Sequence, residues 1–302
     1  MIIRVLHVGL GPMGAGVVRQ VAGRKGLAIV GAVDLDPAKA GRDLGEVCGL
    51  SRKLRSALQI QVMDDITKAI KTTKPDVAVL CTATSLKNVW PQFELVLKQK
   101  VPIVSTAQEL VYPAKANAGV AKKIDALARR ARVAVLGTGV NPGFAMDALP
   151  IALTSLCGKV DAVDITRAET AIRTEPHVGL VESITMIADA LGWKLDRVTD
   201  EVDADVEMPA SDDGALAVGQ TQRGVGYVKG KPRIKLTLVS GVSAYDEVRI
   251  TGTPSLTSRI EGGIDAVATA PAIVANAIPN VLTAQPGLRT MRDMVLPSFF
   301  GG

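Results

Sequence analysis

The chain of 302 residues is 47% hydrophobic and 22% charged, the composition of an ordinary globular protein long enough for two domains. Its formal net charge of +5 is spread without a long basic run and without interleaved aromatic residues, so we expect no nucleic-acid partner. Three widely spaced cysteines and two histidines show no metal-ligand spacing, so we expect no bound metal.

The first thirty-four residues follow the order strand, glycine turn, helix, strand. The apolar runs 2–8 and 27–33 predict two strands buried on both faces, and residues 15–24 predict the helix between them. The turn at 9–14 reads Gly-Leu-Gly-Pro-Met-Gly, which has the G-x-G-x-x-G spacing of a dinucleotide-binding site. A structural glycine turn is the alternative, but the flanking strand and helix supply the context that the dinucleotide fingerprint requires.

Each glycine of this turn has a distinct expected role. Gly9 is expected to make the tight turn, Gly11 to admit a pyrophosphate, and Gly14 to let the helix pack closely on the strand. Pro12 and Met13 are predicted to line the same phosphate site. The start of the helix offers amide groups and a partial positive charge to the phosphates.

Asp34 ends the second strand, twenty positions after Gly14, where its carboxylate can accept hydrogen bonds from the adenosine ribose. An acidic side chain at this place repels the 2′-phosphate of NADP, so the sequence favours NAD(H) as the cofactor. Lys39 and Arg42 follow closely and can reach a phosphate. NADP(H) therefore stays open as the alternative cofactor.

Strand and helix patterns continue to alternate up to residue 140. This alternation implies right-handed crossovers and a doubly wound parallel sheet, the Rossmann arrangement, for a domain of residues 1–140. Asp36 and Asp64 are predicted to cap two of the helices. The predicted helices span 37–44, 65–73, 88–99 and 115–132, and the predicted strands span 61–63, 77–81, 101–104 and 133–136.

The pattern changes after residue 140 to long stretches in which apolar and polar residues alternate. These stretches predict an α+β domain over 141–278 with an open, mostly antiparallel sheet, which favours a homodimer. Residues 279–302 are expected to pack back on the first domain. The predicted helices span 144–156, 177–191 and 264–278, and the predicted strands span 160–170, 203–208, 215–229, 233–240 and 245–251, with a turn at 212–214.

Two features of the sequence indicate where the protein is located. The chain begins with a predicted strand rather than a signal peptide, and its odd number of cysteines is typical of free thiols in a reducing compartment. No apolar stretch approaches the length that spans a bilayer, so we expect no membrane partner. The sequence therefore predicts a cytoplasmic protein.

Ligands of open α/β sheets bind beyond the carboxyl ends of the strands, where the loops 82–85, 105–110 and 137–144 are expected to converge. Thr82, Ala83 and Thr84 are small residues in the first of these loops, and they are predicted to let the cofactor come close. A plain strand-to-helix cap is the alternative interpretation for each of the three.

Glu109 is the one carboxylate in these three loops. A carboxylate beside a nicotinamide can move protons, which makes Glu109 the candidate catalytic residue. The alternative is that Glu109 lies in the first turn of a helix and complements the helix dipole. Asn141 is a candidate contact for the nicotinamide carboxamide or the substrate, although Asn-Pro-Gly is also a common turn and helix start.

Polar residues of the second domain offer further candidates. Phe144 and His177 are assigned to the substrate, with a helix cap or a surface position as the alternative for His177. His7, inside the first strand, is interpreted as a core histidine. Arg167, Glu169 and Arg173 are expected to pair on the surface, or else to contact an anionic substrate.

Several stretches together resemble one family, the 2,4-diaminopentanoate dehydrogenases and related native amine dehydrogenases, which are similar in architecture to dihydrodipicolinate reductase. The resemblance covers the first domain well and resumes at the C-terminus, while residues 165–240 match only in outline. The matching stretches are GLGPMG at 9–14, STAQELVYP at 105–113, GTGVNPGFAMDALP at 137–150 and GGIDAVATAPAIVANAIPNVLTAQPGLRTMRDM at 262–294.

The resemblance implies reversible oxidative deamination of an amine that need not carry an α-carboxylate. In the reductive direction, a ketone or aldehyde and ammonia form a carbinolamine and then an iminium ion, which takes a hydride from NAD(P)H. The family's carboxylate falls on Glu109, which would activate ammonia, assist the loss of water and stabilise the cationic iminium.

Two departures from the family pattern concern the substrate. Asp265 and Ala266 stand where family members often have His and Gly, and the segment 167–180 differs from the basic version expected of a diaminopentanoate enzyme. These two departures favour an amine or carbonyl substrate that is simpler than diaminopentanoate. Two other functions stay open: a C=N or C=C reductase of the dihydrodipicolinate type, whose paired-His and Lys signature is not found, and an NAD-binding sensor without chemistry.

Overall fold

The computed structural model describes residues 2–113, 117–173, 175–209 and 216–301. The chain forms two compact units. The first unit combines Met1–Gly139 with Val267–Gly302, and the second unit is the intervening segment Val140–Ala266.

The first unit contains a seven-stranded sheet in which every pair of neighbouring strands is parallel. Apolar runs form these strands because helices cover both faces of the sheet. The strands are β1 Ile3–Val8, β2 Leu27–Val33, β3 Val62–Met63, β4 Val77–Leu80, β5 Ile103–Ser105, β6 Ala134–Gly137 and β13 Gly287–Arg289. Their order is β13-β6-β5-β4-β1-β2-β3, which confirms the predicted doubly wound sheet and adds a C-terminal strand beside β6.

Most helices of the first unit bury an apolar face against this sheet. Phe93 and Leu97 of one helix, for example, are fully buried in the core with Leu80 and Val135 of the strands. The helices are α1 Pro12–Ala22, α2 Leu44–Val47, α3 Arg52–Leu58, α4 Ile66–Thr73, α5 Leu86–Lys98, α6 Gln108–Val111, α7 Ala118–Ala131 and α10 Ala266–Thr283.

Several helix boundaries of the first unit differ from those predicted. Helix α1 begins at Pro12 rather than at residue 15, since proline is favoured in the first helical turn. The predicted helix 37–44 is wrong, because this segment forms turns that end at Gly41 with a φ of +77°. The first residues of the predicted helix 115–132 lie partly outside the described residues, and α7 begins at Ala118.

The second unit contains a six-stranded sheet in the order β12-β11-β7-β10-β9-β8, in which only the β7–β10 pair is parallel. The predicted mostly antiparallel sheet is therefore confirmed; strand β12 was not predicted, and the predicted turn at 212–214 lies outside the described residues. The elements are β7 Lys159–Glu169, β8 Arg197–Pro209, β9 Leu216–Val228, β10 Lys231–Ser240, β11 Tyr245–Thr253, β12 Leu256–Glu261, α8 Ala148–Thr154 and α9 Leu180–Ala190.

Helix α9 packs on this sheet through contacts that need glycine on the strand. A Cβ atom at Gly224 would lie 2.8 Å from Ile184 Cδ1, and one at Gly226 would lie 2.7 Å from Ile184 Cγ2. Ile184 is buried together with Ile234 and Leu236 of β10. The glycines of β9 therefore let the helix approach the sheet closely.

Helix α10 belongs to the first unit from Val267 onwards, whereas the division made from the sequence assigned residues up to 278 to the second domain. The physical reason is its packing on α1. A Cβ atom at Gly16 would lie 2.8 Å from Pro271 Cγ, and the Arg24 guanidinium donates a hydrogen bond to Asn276 Oδ1.

The same helix is 18 residues long and apolar enough, by length and composition, to cross a membrane. This corrects the expectation that no stretch reaches that length. Val274, Ala277 and Ile278 are nevertheless fully buried in the first unit, and a core helix of a globular protein passes the same test. We therefore interpret α10 as a core helix.

Asp65 rather than Asp64 caps helix α4, because Asp65 Oδ1 accepts a hydrogen bond of 2.9 Å from the Lys68 amide. We predict that Asp65→Ala lowers the free energy of unfolding by about 1 kcal/mol, the usual effect of losing an N-cap. The matched variant Asp64→Ala removes an equal charge without removing the cap, so its denaturation midpoint should stay at the wild-type value. Equal losses in the two urea titrations would contradict this assignment.

Candidate functional site

The glycine turn after β1 is closed too tightly for side chains at two of its glycines. Gly9 has a φ of +91°, and a Cβ atom there would lie 2.6 Å from the Cys81 carbonyl oxygen. A Cβ atom at Gly14 would lie 1.9 Å from the Gly9 carbonyl oxygen. At Gly11, in contrast, no described atom lies within 4 Å of the Cβ position. The protein itself does not require glycine at position 11, so the open space there fits the close approach of a ligand.

His7 lies beneath this turn and is buried. Its Nε2 atom is 3.0 Å from the Gly9 carbonyl oxygen. Burial lowers the pKa of His7 to about 4, although the hydrogen bond to Gly9 and the charge of Asp34 act in the opposite direction. A neutral histidine that supports the turn agrees with its interpretation as a core residue.

Asp34 is fixed at the end of β2 by donors on two sides. Its Oδ2 accepts a hydrogen bond of 2.7 Å from the Leu10 amide, and its Oδ1 accepts one of 2.9 Å from the Asp36 amide. Lys39 Nζ lies 3.2 Å from Oδ2. Burial alone raises the pKa of Asp34, but the two amides and Lys39 outweigh it and hold the pKa below its usual range. The carboxylate is therefore ionised at neutral pH.

A cavity of about 310 Å³ opens between the glycine turn, Asp34 and the loop after β4. Its volume is in the range of small-molecule sites, and its lining mixes backbone amides, apolar side chains and a few polar groups. Sequence reasoning missed Gln92, which carries no motif and reaches the cavity only because α5 places it there. The lining includes the predicted residues Gly9, Gly11, Asp34 and Thr82, together with Lys39 and Gln92.

The other predicted cofactor residues of the first unit adjoin this cavity along the chain. Pro12 and Met13 form the first turn of α1, directly after Gly11. Ala83 and Thr84 follow Thr82, whose hydroxyl donates a hydrogen bond of 2.6 Å to Gln92 Oε1. None of these four is among the described residues that line the cavity.

Glu109 connects two of the loops at the carboxyl edge of the sheet. Its backbone amide donates to the Thr84 carbonyl oxygen at 3.2 Å, and its Oε2 accepts a hydrogen bond of 2.8 Å from the Leu86 amide. Leu86 is the first residue of α5. Glu109 lies in the first turn of α6, as the dipole alternative expected, and its carboxylate also binds the N-terminus of a second helix, α5.

In the second unit, a buried carboxylate organises the Asn-Pro-Gly turn. Asp147 accepts hydrogen bonds from the Gly143 amide at 2.8 Å, the Ala148 amide at 2.6 Å and the Ser183 hydroxyl at 2.8 Å. Burial raises the pKa of Asp147, and these three donors act against that rise. Sequence reasoning missed this residue, although an Asp directly before an apolar helix is an N-cap signal.

Asn141 follows β6 by four residues and begins the turn that Asp147 holds. Its Nδ2 lies 2.9 Å from Met146 Sδ, while its Oδ1 is buried and has no hydrogen-bond partner in the described part of the chain. An unsatisfied buried amide oxygen costs free energy. The predicted contact of Asn141 with a nicotinamide carboxamide or a substrate stays a prediction.

His177 is held by its backbone rather than by its ring. Its amide donates to Gln222 Oε1 at 2.7 Å, and Gln222 Nε2 donates to the His177 carbonyl oxygen at 3.1 Å. Its Nε2 is buried without a partner among the described residues. Burial first, and then the charge of Arg173, lowers the pKa of His177 to about 4. It does not cap α9, whose N-cap is Gly179.

Phe144 lies in the turns before α8, and its amide donates to the Val140 carbonyl oxygen at 3.1 Å. Its side chain is half-buried. The predicted helix start at residue 144 is therefore wrong by four residues, because Asp147 caps α8 at Ala148. The assignment of Phe144 to the substrate stays a prediction.

The arginine cluster of the second unit is buried at Arg167, which corrects the expected surface pairing there, whereas the Arg173 side chain is 32% exposed. Arg167 is 3% exposed, and it lies 2.9 Å from both Glu169 Oε1 and Asp246 Oδ1. Arg173 lies 2.7 Å from Glu169 Oε2. Asp246 was missed because it comes from a distant strand. Two positive and two negative charges balance in this cluster.

The Rossmann sheet, the glycine turn and the ionised Asp34 together form a site of the kind with which nicotinamide-dependent dehydrogenases bind their cofactor. A family model described as the 2,4-diaminopentanoate dehydrogenase C-terminal domain matches residues 169–302, including the segment where the motifs matched only in outline. The chain is 30% identical to 2,4-diaminopentanoate dehydrogenase from Acetoanaerobium sticklandii, over 98% of this chain and 94% of that protein. The protein therefore belongs to the 2,4-diaminopentanoate dehydrogenase family, and the resemblance found in its motifs is confirmed.

Solved structures show the same fold. The structure of an amine dehydrogenase from Mycobacterium smegmatis matches with a TM-score of 0.81 and 22% identity, covering 98% of this chain and 97% of that one. A myo-inositol dehydrogenase from Lactobacillus casei, in complex with NAD(H) and myo-inositol, matches with a TM-score of 0.64 and 13% identity, covering 97% and 90%. The expected fold class is thereby confirmed. The relative that shows the family is a named dehydrogenase, which sets the sensor alternative aside.

The glycine turn generates a paired prediction. Gly14→Ala places a methyl group against the Gly9 carbonyl, so it should lower the free energy of unfolding by about 1–3 kcal/mol, as overpacking does. Gly11→Ala adds a methyl group to open space, so its thermal midpoint should stay at the wild-type value while its affinity for NADH falls. Thermal unfolding and fluorescence titration with NADH test both variants. Unchanged NADH affinity in Gly11→Ala would contradict the expected phosphate approach.

Proposed function

We propose that this protein catalyses the reversible oxidative deamination of a small amine with NAD(H), and the reductive amination of a ketone or aldehyde with ammonia. The observation that carries the proposal is the Glu109 carboxylate, fixed by the Leu86 amide at the carboxyl edge of the sheet in a chain of this family. The overall reaction in the reductive direction joins the carbonyl compound, ammonia, NADH and a proton, and it releases the amine, water and NAD⁺.

The residues of the first unit fit a dinucleotide. When bound, the nicotinamide supplies the hydride to the carbon that carries nitrogen, or accepts it in the reverse reaction. Gly11 leaves room for phosphates, and the ionised Asp34 would accept hydrogen bonds from the adenosine ribose. The negative charge of Asp34 disfavours a 2′-phosphate, so we propose NAD(H) as the preferred cofactor. In the second unit, we propose that the orphaned Asn141 Oδ1 accepts the carboxamide N–H.

Glu109 supplies the proton chemistry in this proposal. Its carboxylate takes a proton from ammonium, which frees the nitrogen lone pair for attack on the carbonyl carbon. The resulting acid returns a proton to the hydroxyl group of the carbinolamine, so that water leaves and an iminium ion forms. The regenerated carboxylate would then stabilise the positive charge of the iminium ion. The Leu86 amide holds Oε2 in one orientation through these steps.

The substrate proposal is a small amine or carbonyl compound without a carboxylate. Arg167 and Arg173 are the basic residues of the segment 167–180, and both are ion-paired, with Glu169 and Asp246 as partners. A substrate carboxylate would have to displace one of these anions. A neutral ketone or aldehyde avoids that cost.

One prediction of the proposed function concerns the dependence of NADH oxidation on ammonia. The purified protein should oxidise NADH in the presence of a small ketone or aldehyde only when ammonium is added, because the carbonyl compound itself is not the hydride acceptor. Absorbance at the NADH band is recorded with a panel of ketones and aldehydes and with 2-amino-4-oxopentanoate, each with and without ammonium. Turnover that does not depend on ammonium would contradict amine formation and favour a carbonyl or ring-imine reductase.

A further prediction separates the proton transfer by Glu109 from its hydrogen bond with the Leu86 amide. Glu109→Gln keeps an oxygen that can accept the Leu86 amide hydrogen bond, but it removes the negative charge and the proton acceptor. The ammonia-dependent rate should fall about 100-fold or more, the usual contribution of a general acid–base group, while NADH affinity and thermal stability stay near wild type. Glu94→Gln, which removes a surface carboxylate from α5, is the control. Wild-type turnover by Glu109→Gln would remove Glu109 from the mechanism.

A further inference from the structure

Glu169, the last residue of β7, lies at the centre of the arginine cluster of the second unit. Its Oε1 accepts hydrogen bonds from Arg167 Nε at 2.9 Å and from Arg173 Nη2 at 3.0 Å. We propose that Glu169 is a specificity-determining residue, whose carboxylate occupies the Arg173 guanidinium and thereby excludes substrates that carry a carboxylate. This inference rests on the proposed function and names the residue that sets its substrate class.

The two arginines of the cluster depend on Glu169 to different degrees. Arg167 is buried and has a second carboxylate, because Asp246 lies directly opposite on β11 and accepts from Arg167 Nη1 at 2.9 Å. The Arg173 side chain is partly exposed, and Glu169 is its only carboxylate partner within the described part of the chain. Without the Glu169 carboxylate, Arg167 therefore stays paired, whereas Arg173 becomes a solvent-accessible cation without an anion.

The pair of Glu169 and Arg173 has the geometry in which an arginine binds a free carboxylate. Arg173 Nε and Nη2 lie 2.8 Å and 2.7 Å from Glu169 Oε2, and Nη2 also reaches Oε1. Burial alone raises the pKa of Glu169, but Arg167 and Arg173 outweigh it and hold the pKa below its usual range. Because Glu169 is ionised and fixed at the end of a strand, it competes with a dissolved carboxylate at a high effective concentration.

Arg173 lies near a groove of the second unit that contains His177, the residue assigned to the substrate from the sequence. The charge of Arg173 acts, after burial, to lower the pKa of His177. The groove has a volume of about 580 Å³, and its lining combines apolar side chains with His177, Glu182 and Asp200. Such a lining suits a small neutral or cationic molecule, such as a ketone or an amine. A substrate carboxylate needs a cation there, and Glu169 already occupies Arg173.

The test compares two ketones that differ in one group, since 4-oxopentanoate is pentan-2-one with its terminal methyl group replaced by a carboxylate. Binding of each ketone to the protein with NADH, without ammonium, is measured by saturation-transfer NMR. The wild type should bind pentan-2-one more tightly. In Glu169→Gln and Glu169→Ala, the Kd of 4-oxopentanoate should fall about tenfold or more, the effect of gaining a charge-assisted hydrogen bond, while that of pentan-2-one changes less than about twofold.

Variants of Arg173 show whether the gain comes from the released guanidinium. The double variant Glu169→Gln/Arg173→Gln should bind 4-oxopentanoate as weakly as the wild type does. Arg173→Gln alone should leave both affinities unchanged, because Arg173 is already occupied in the wild type. Glu175→Gln, which removes an exposed carboxylate of the same segment, is the control and should match the wild type. Thermal unfolding of each variant verifies that it is folded.

Three results overturn the proposal: unchanged 4-oxopentanoate affinity in the folded Glu169 variants, a gain that persists in the double variant, or weaker 4-oxopentanoate binding by Arg173→Gln alone. The binding measurements involve no amine formation. A protein that shows the expected affinities but forms no amine contradicts only the proposed reaction. Ammonia-dependent turnover together with unchanged affinities in the Glu169 variants contradicts only this inference, so the two failures are distinguishable.

Discussion

The approach of helix α1 to the end of β1 is the constraint on which the cofactor site depends. The Gly14 Cβ position lies within 1.9 Å of the Gly9 carbonyl oxygen, so this turn closes only with glycine at position 14. His7 supports the turn from below, and the Leu10 amide ties it to Asp34 on the neighbouring strand. The proposed contacts to phosphate and ribose thereby come from one short part of the fold. The positive end of the α1 dipole points at the glycine turn, which carries no charged side chain.

The architecture of the first unit was predictable because its strands are buried on both faces. Continuous apolar runs such as 2–8 and 27–33 leave little choice of conformation, and the strands β1 and β2 lie where predicted. The segment 37–44 was mispredicted because Asp36 and Pro37 also suit a turn, and Gly41 with positive φ ends it. Competition between cap and turn chemistry cannot be decided from local sequence.

The candidate site was predictable in its residues but not in its contacts. Glu109 was identifiable as the one carboxylate in the loops at the sheet edge, yet its bond to the Leu86 amide depends on strands β4 and β5 being neighbours. Asp246 pairs with Arg167 although the two residues are 79 positions apart in the sequence, so no local pattern could predict this buried ion pair. Such contacts depend on which strands are neighbours, and the local sequence does not reveal the order of the strands.

The proposed reaction depends on one atom, the carbon that receives the hydride. The most direct measurement uses NADH deuterated at C4 of the nicotinamide, with ammonium and the best carbonyl substrate, followed by mass spectrometry and NMR of the product. If the proposed reaction is right, the product is an amine in which deuterium is bound to the carbon that carries the amino group. Deuterium in an alcohol, or in a product without new nitrogen, would contradict it.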